Sequence, residues 1–136
     1  MHGPLAGYSA RTARLLDWVH EVGASGSVMI GDDLTHMDFH PGNVLVDAGR
    51  ITGVIDWDGA ARGDRHFDLV TLQFNLAGGA TPHLAARLND RLNTIDENRL
   101  HSYRAHMALR QVDWSIRHHD RSTVDHWLAV AETALP

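Results

Sequence analysis

At 136 residues the chain can bury a real core without covalent staples, and with no cysteine it cannot be a disulfide scaffold, a thiolate metal site or a cysteine enzyme. Its formal net charge is −5, and all twelve basic residues are arginine; the missing lysine excludes Schiff-base chemistry, a P-loop and a phosphate-gripping lysine from these residues. The −5 falls wholly within residues 1–82, which hold ten acids against five arginines, a bias opposite to that of a nucleic-acid binder. No apolar run approaches the ~18 residues of a membrane span, and the Met-His-Gly-Pro start lacks the layout of a signal peptide. The expectation is a soluble, cytoplasmic protein with neither nucleic-acid nor membrane partners.

In chain order, residues 10–22 predict an amphipathic helix with Leu15, Leu16, Val19 and Val22 on one face and Gly23 placed to end it. A Gly/Ser loop follows, and residues 28–36, broken by Gly31-Asp32-Asp33, offer at most a strand fragment. Val44-Leu45-Val46, the turn Asp47-Ala48-Gly49-Arg50 and Ile51–Ile55 predict a hairpin. Residues 66–77 and 83–93 read as helices, the first closed by Gly78-Gly79. Thr94 with Glu97 reads as a capping box opening a long helix from Ile95 to about Arg117, with Leu100, Tyr103, Met107 and Ile116 facing a core and Trp114 nearby. Ser122 with Asp125 reads as a last cap before Val124, Trp127, Leu128 and Ala131. The fold class expected is mainly α with a small β-hairpin (α+β), in one domain over residues 1–136.

The chemistry is concentrated around the hairpin. His36-Met37-Asp38-Phe39-His40-Pro41-Gly42-Asn43 leads into it, and Ile55-Asp56-Trp57-Asp58 leads out. A hairpin returns its second strand beside its first, so Asn43 and Asp56 are expected at one edge. An amide oxygen beside a carboxylate is a hard-oxygen pair suited to Mg2+, which is bound by one or two carboxylates together with substrate phosphates. Asp38, on the loop just before, could face that site and accept a proton from an attacking hydroxyl. A nucleophile positioner and ligands for the phosphate-bridging metal are what phosphoryl transfer requires.

His36-x-Asp38-x-x-x-x-Asn43 followed by Ile55-Asp56-Trp57-Asp58 resembles the catalytic and metal-binding loops of aminoglycoside phosphotransferases and related small-molecule kinases. The His40-Pro41-Gly42-Asn43 ending, the 18 positions separating Asp38 from Asp56, and Gly63-Asp64-x-x-Phe67-Asp68-Leu69 continue the likeness, with Arg65 where these enzymes often carry proline. The likeness is close over residues 34–72, and the helical part, 73–136, agrees in type. It implies the C-terminal lobe of the protein-kinase-like fold, ATP or another nucleoside triphosphate as co-substrate, Mg2+ held by Asn43 and Asp56, Asp38 as the catalytic residue, and a small-molecule hydroxyl as acceptor. His36, His40 and Asp68 are implied as structural supports of the catalytic loop, Asp68 by accepting backbone hydrogen bonds, and Asp58 as a possible further metal contact.

Each residue has a plainer reading beside this one: Asp38 as a turn or capping aspartate, Asn43 as a loop cap, Asp56 as a strand-end acid and Asp58 as a surface turn. Arg62 and Arg65 could meet phosphate or simply be solvated, and His118-His119-Asp120 reads as surface compensating a helix dipole. A glycine-rich phosphate cover, a strand lysine and its glutamate partner are not found, and the some 35 residues before the catalytic loop read as a helix and a loop. The expectation is therefore a lobe without its N-terminal partner, inactive by itself, whose face near Phe39, Val54 and Trp57 is apolar and covered by that lobe or by a second copy. Two other classes stay open: a non-catalytic kinase-lobe binding module, and a metal-dependent hydrolase built on His36, Asp38, His40 and Asp56, which tight zinc or manganese binding without nucleotide would distinguish.

Overall fold

The computed structural model describes residues 3–25, 30–77, 79 and 82–136. The elements run α1 Gly3–Tyr8, α2 Ala10–Ala24, β1 Asp33–Thr35, a 3₁₀ turn Pro41–Asn43, β2 Val44–Asp47, β3 Arg50–Val54, β4 Ala61–Gly63, α3 His66–Leu76, α4 Pro82–Leu92, α5 Glu97–His118 and α6 Arg121–Glu132. The protein is mostly helical with two small antiparallel sheets, and it packs as two compact units. One joins Met1–Val28 to Asp96–Pro136; the other is Met29–Ile95.

The first unit is α1, α2, α5 and α6. Ser9 and Thr12 cap α2 reciprocally, and the buried Thr12 hydroxyl also donates to Leu5 O at 2.6 Å, fixing α1 to α2. The buried line of α2 is Thr12, Leu15 and Trp18; Leu16, Val19 and Val22 are only half-buried, so the core face is turned slightly from the one the apolar spacing suggests. Trp18 Nε1 donates to His101 Nε2 at 2.9 Å, tying α2 to α5. On α5 the core residues are Leu100, Tyr103, Met107, Ala108 and Val112, while Ile116 is half-buried and Trp114 is 55% exposed, stacked on His118 at 3.7 Å. Val124, Leu128 and Ala131 complete the core from α6, with Trp127 half-buried.

Two caps differ from the sequence reading for one physical reason. Asp96, not Thr94, opens α5 by accepting from Arg99 N, and the Thr94 hydroxyl instead closes α4 onto Arg91 O. Asp120, not Ser122, opens α6, accepting from both Thr123 N and Thr123 Oγ1. A carboxylate beside unpaired helix amides gains from the helix dipole as well as the hydrogen bond, and it outcompetes a nearby hydroxyl. It also places Asp120 at the start of α6; His118 bonds the end of α5, through Nδ1 to Trp114 O.

The second unit holds the hairpin and a sheet the sequence did not disclose. β2 and β3 pair antiparallel (Val44↔Val54, Leu45↔Gly53, Val46↔Ile51, Asp47↔Arg50) with a bulge at Leu45/Val46. Ala48 and Gly49 take positive φ values of 45° and 75°, the two-residue turn whose twist suits a hairpin. β1 pairs with β4 (Asp33↔Gly63, Leu34↔Arg62, Thr35↔Ala61). A Cβ on Gly31 would meet Gly63 O at 2.5 Å, so this crossing of two backbones requires glycine there. Phe67, Val70 and Phe74 of α3 form the buried face, and Gln73 Nε2 donates to Asn89 Oδ1, joining α3 to α4, so α4 packs with the loop-bearing unit. On the face expected to be apolar, Phe39 and Val54 are half-buried and Trp57 exposed, and the hairpin also exposes Leu45, Val46 and Ile51.

Two consequences are measurable. Leu128→Ala removes a fully buried side chain from the α2/α5/α6 core, and denaturant unfolding should show a loss of about 2–5 kcal/mol. The Thr123 amide and hydroxyl hold the Asp120 carboxyl below the usual carboxylate range, and the Arg11 guanidinium does the same for Glu132. A depressed folded-state value means that the stabilisation is complete above the ordinary carboxylate pKa and lost as pH falls through the lowered one. Asp120→Asn and Glu132→Gln should each flatten the acid limb of a stability–pH curve below about pH 4.5 and leave its alkaline side unchanged.

Candidate active site

The site lies within the second unit and is built by hydrogen bonds between segments that are distant in sequence. Leaving β1, the chain turns through Met37 with φ of 68°, a left-handed conformation that a side chain disfavours by about 1–2 kcal/mol. Asp68 on α3 holds it there: Oδ2 accepts from His36 N at 2.8 Å and Oδ1 from Met37 N at 2.9 Å. Charge-assisted bonds to two successive amides outweigh the strain and present Asp38 beyond the bend.

His36 is 1% exposed and lies against Trp57, ring centroids 4.6 Å apart, with Phe39 at 6.0 Å. Its Nδ1 accepts from Asp38 N at 3.3 Å while Nε2 meets Ile55 O at 2.8 Å, an arrangement satisfied by the Nε2–H tautomer. One imidazole thus connects the residue carrying Asp38 to the residue preceding Asp56. Trp57, its neighbour, is fixed in turn by Nε1–H to Val54 O at 2.8 Å.

The turn after Asp38 closes on itself. His40 precedes the 3₁₀ turn; Gly42 N donates to its Nδ1 at 3.1 Å and Asn43 N to its carbonyl at 3.0 Å. The buried Asn43 donates Nδ2–H to Asp38 O at 3.0 Å, which identifies Oδ1 as the amide atom left to accept a proton or a cation. Ile55 N donates to Asn43 O at 3.0 Å, so Asn43 and the start of Ile55-Asp56 are adjacent across the hairpin edge. Asp56 itself has φ of 66°, a second left-handed residue where the chain leaves β3.

Electrostatics mark the same place. The Asp56 carboxyl is raised above the usual carboxylate range, chiefly by its hydrogen bond to Asp58 and the charge of Asp58, with the charge of Asp38 adding to them. The charges of Asp58 and Asp38 thus act on Asp56, and a divalent cation would relieve that repulsion. His40 Nε2 stands 3.8 Å from Asp38 Oδ2. Arg62 and Arg65 are each paired to an aspartate, Asp32 at 2.7 Å and Asp33 at 2.8 Å, and Asp33 also accepts from Arg65 N. Among the described residues, no group of three or more His, Asp or Glu side chains is gathered for a metal ion. With both His36 nitrogens bonded to backbone, the donors suited to a cation are an amide oxygen and carboxylates. That is a partial shell of hard oxygens, which suits Mg2+ completed by phosphates and water better than zinc.

Three residues that the sequence motifs include without giving them a role shape the site. Asp33 anchors the start of α3 through Arg65, and Asp64, buried, accepts from both His66 N and His66 Nδ1. Gly42 leaves room for the His40 ring, since a Cβ there would lie 2.8 Å from Cε1. The Asp64-x-His66 spacing was the available signal for the second; the first and third depend on contacts that only the fold creates.

Residues 31–109, more than half of the chain, match the phosphotransferase enzyme family known as APH. The chain belongs to that family. A stretch of 41 residues is 49% identical to hygromycin-B 4-O-kinase of Escherichia coli, covering 30% of this chain and 12% of that protein. Among solved structures, a thermostable mutant of aminoglycoside phosphotransferase APH(4)-Ia in ternary complex with AMP-PNP and hygromycin B superposes with a TM-score of 0.73 at 28% identity, covering 92% of this chain and 42% of that one. A second such mutant, with ADP and hygromycin B, gives 0.74 at 27% identity, over 93% and 43%. The chain thus has the kinase-like fold of the aminoglycoside phosphotransferases, and it spans less than half the length of these relatives.

Asp58→Asn removes the largest cause of the Asp56 shift. Carboxyl 13C titration should then find Asp56 moved down toward the ordinary carboxylate range; an unmoved Asp56 would contradict the crowding described here.

Proposed function

We propose that this chain carries the proton-accepting and metal-holding loops of an ATP- and Mg2+-dependent transfer of the γ-phosphoryl group to a hydroxyl of a small molecule. The observation that carries the reading is the linkage of Asp38, Asn43 and Asp56: Asn43 bonds Asp38 O through its side chain and Ile55 N through its carbonyl. Asp38 is the group that orients the acceptor hydroxyl and takes its proton. Asn43 Oδ1 and the Asp56 carboxylate would hold Mg2+, with Asp58 a further contact, and the bound ion supplies neutralisation of charge on the β- and γ-phosphates. His36 and Asp68 keep the two loops in register, and the left-handed Met37 and Asp56 are the strain that such sites carry.

Support for the acceptor class comes from the relatives, whose structures hold hygromycin B beside a nucleotide. The acid excess of residues 1–82 suits a polycationic acceptor of that kind. These 136 residues contain no lysine to grip the α- and β-phosphates, and the chain by itself should neither bind ATP tightly nor transfer phosphate.

The test has two arms. Titrating the chain with Mg2+ and following NMR shifts should perturb the Asn43 side-chain amide and Asp56 at millimolar metal, and Asp56→Ala should abolish the response. Silence at both residues would overturn the metal assignment. In phosphoryl transfer by the chain together with a nucleotide-gripping lobe, Asp38→Asn should lower turnover by about 10²–10⁴-fold. Micromolar ATP affinity or transfer by the 136 residues alone would overturn the division of labour.

A further inference from the structure

We propose that Trp57 is a positioning residue for Asp56: its indole N–H, bonded to Val54 O across the turn, holds Asp56 in the left-handed conformation from which it serves the cation site. The inference rests on the role given to Asp56 under the proposed function. Asp56 has φ of 66°, a conformation that a residue with a side chain leaves readily unless something holds it. Trp57 Nε1 donates to Val54 O at 2.8 Å, so a side chain closes residues 54–57 into a ring with Asp56 inside it. The indole lies against the His36 ring, centroids 4.6 Å apart, and His36 Nε2 meets Ile55 O at 2.8 Å. The two carbonyls before Asp56 are thus each held by an aromatic side chain, and the two rings brace each other.

The hairpin leaves both carbonyls available. Ile55 N bonds Asn43 O, so Val44 and Val54 form a non-hydrogen-bonded pair and Val54 O points away from β2. Asn43 N bonds His40 O rather than returning the bond to Ile55 O. Trp57 O accepts from Ala60 N at 3.0 Å and closes the next turn, so one residue ties Asp56 back to the strand and encloses Asp58 ahead of it. Core filling does not account for the indole, since Trp57 is 44% exposed. What tryptophan adds over another aromatic is an N–H that reaches back three residues. With its backbone fixed, Asp56 meets an arriving cation without first reorganising, and affinity is not reduced by time spent in other conformations.

Two replacements of Trp57 remove the bond and keep an aromatic face for His36: benzothienylalanine, which exchanges the N–H for sulfur in a ring of the same shape, and Trp57→Phe. Positive φ brings a residue's own amide and α protons together, so the NOE between them reports the conformation of Asp56 without metal. In the unsubstituted chain that NOE should be strong. In the variants it should fall by about twofold or more as other φ values are populated, while the NOEs between Val44 and Val54 persist. Shifting the Asn43 side-chain amide should then take roughly three- to tenfold more Mg2+. A weak Asp56 NOE in the unsubstituted chain, or an undiminished one with benzothienylalanine, would overturn the proposal. So would unchanged Mg2+ affinity in a variant whose NOE has fallen. Where Trp57→Phe does not fold, the variant of the same shape decides. Absence of any Mg2+ response in the unsubstituted chain overturns the metal assignment, while the NOE still decides whether Trp57 holds Asp56, so the two can fail separately.

Discussion

The second unit depends on a single carboxylate. Asp68, projecting from the first turn of α3, accepts two successive backbone amides and so holds Met37 in a conformation it would otherwise leave. From that bend everything at the site follows in order. His36 is turned inward, its two nitrogens bond the backbone on either side, and the loop bearing Asp38 is locked to the strand end bearing Asp56. The left-handed Met37 is tolerable because a charged acceptor with two donors is stronger than the steric penalty it opposes.

The hairpin supplies the second constraint. Its two-residue turn sets the register that pairs Val44 with Val54, and the next bond outward, Ile55 N to Asn43 O, puts an amide side chain beside the residue before Asp56. Carboxylates gathered there repel one another, which is unfavourable for the bare chain and favourable for a cation-bound one. If the proposed cation binds there, function and stability pull in opposite directions at this edge, as in many sites that bind charged ligands.

Much of this was legible in the sequence because the chemistry is local. His36 through Asn43 and Ile55 through Asp58 are two short runs joined by a hairpin whose turn and strands follow ordinary propensities, so their meeting could be anticipated from spacing alone. The family and its mostly helical lobe followed from those runs. What could not be read were contacts that only the folded chain creates. The strand fragment expected within residues 28–36 is β1, but its partner β4, Ala61–Gly63, has no apolar alternation to reveal it or the pairing. Thr94 and Ser122 lost their capping roles to aspartates nearby, a competition between acceptors that the pattern does not rank. The rotated faces of α2 and α5 reflect which side their partners occupy, which periodicity alone does not specify.

The central claim is that Asn43 and Asp56 form a cation site beside Asp38, and anomalous diffraction from crystals soaked in Mn2+ as a stand-in for Mg2+ tests it most directly. The account predicts one ion within about 2.0–2.3 Å of Asn43 Oδ1 and of an Asp56 carboxylate oxygen, with Asp38 near it but not ligating. An ion held by His36 or His40 instead, or none at this edge at concentrations that saturate magnesium sites elsewhere, would contradict it.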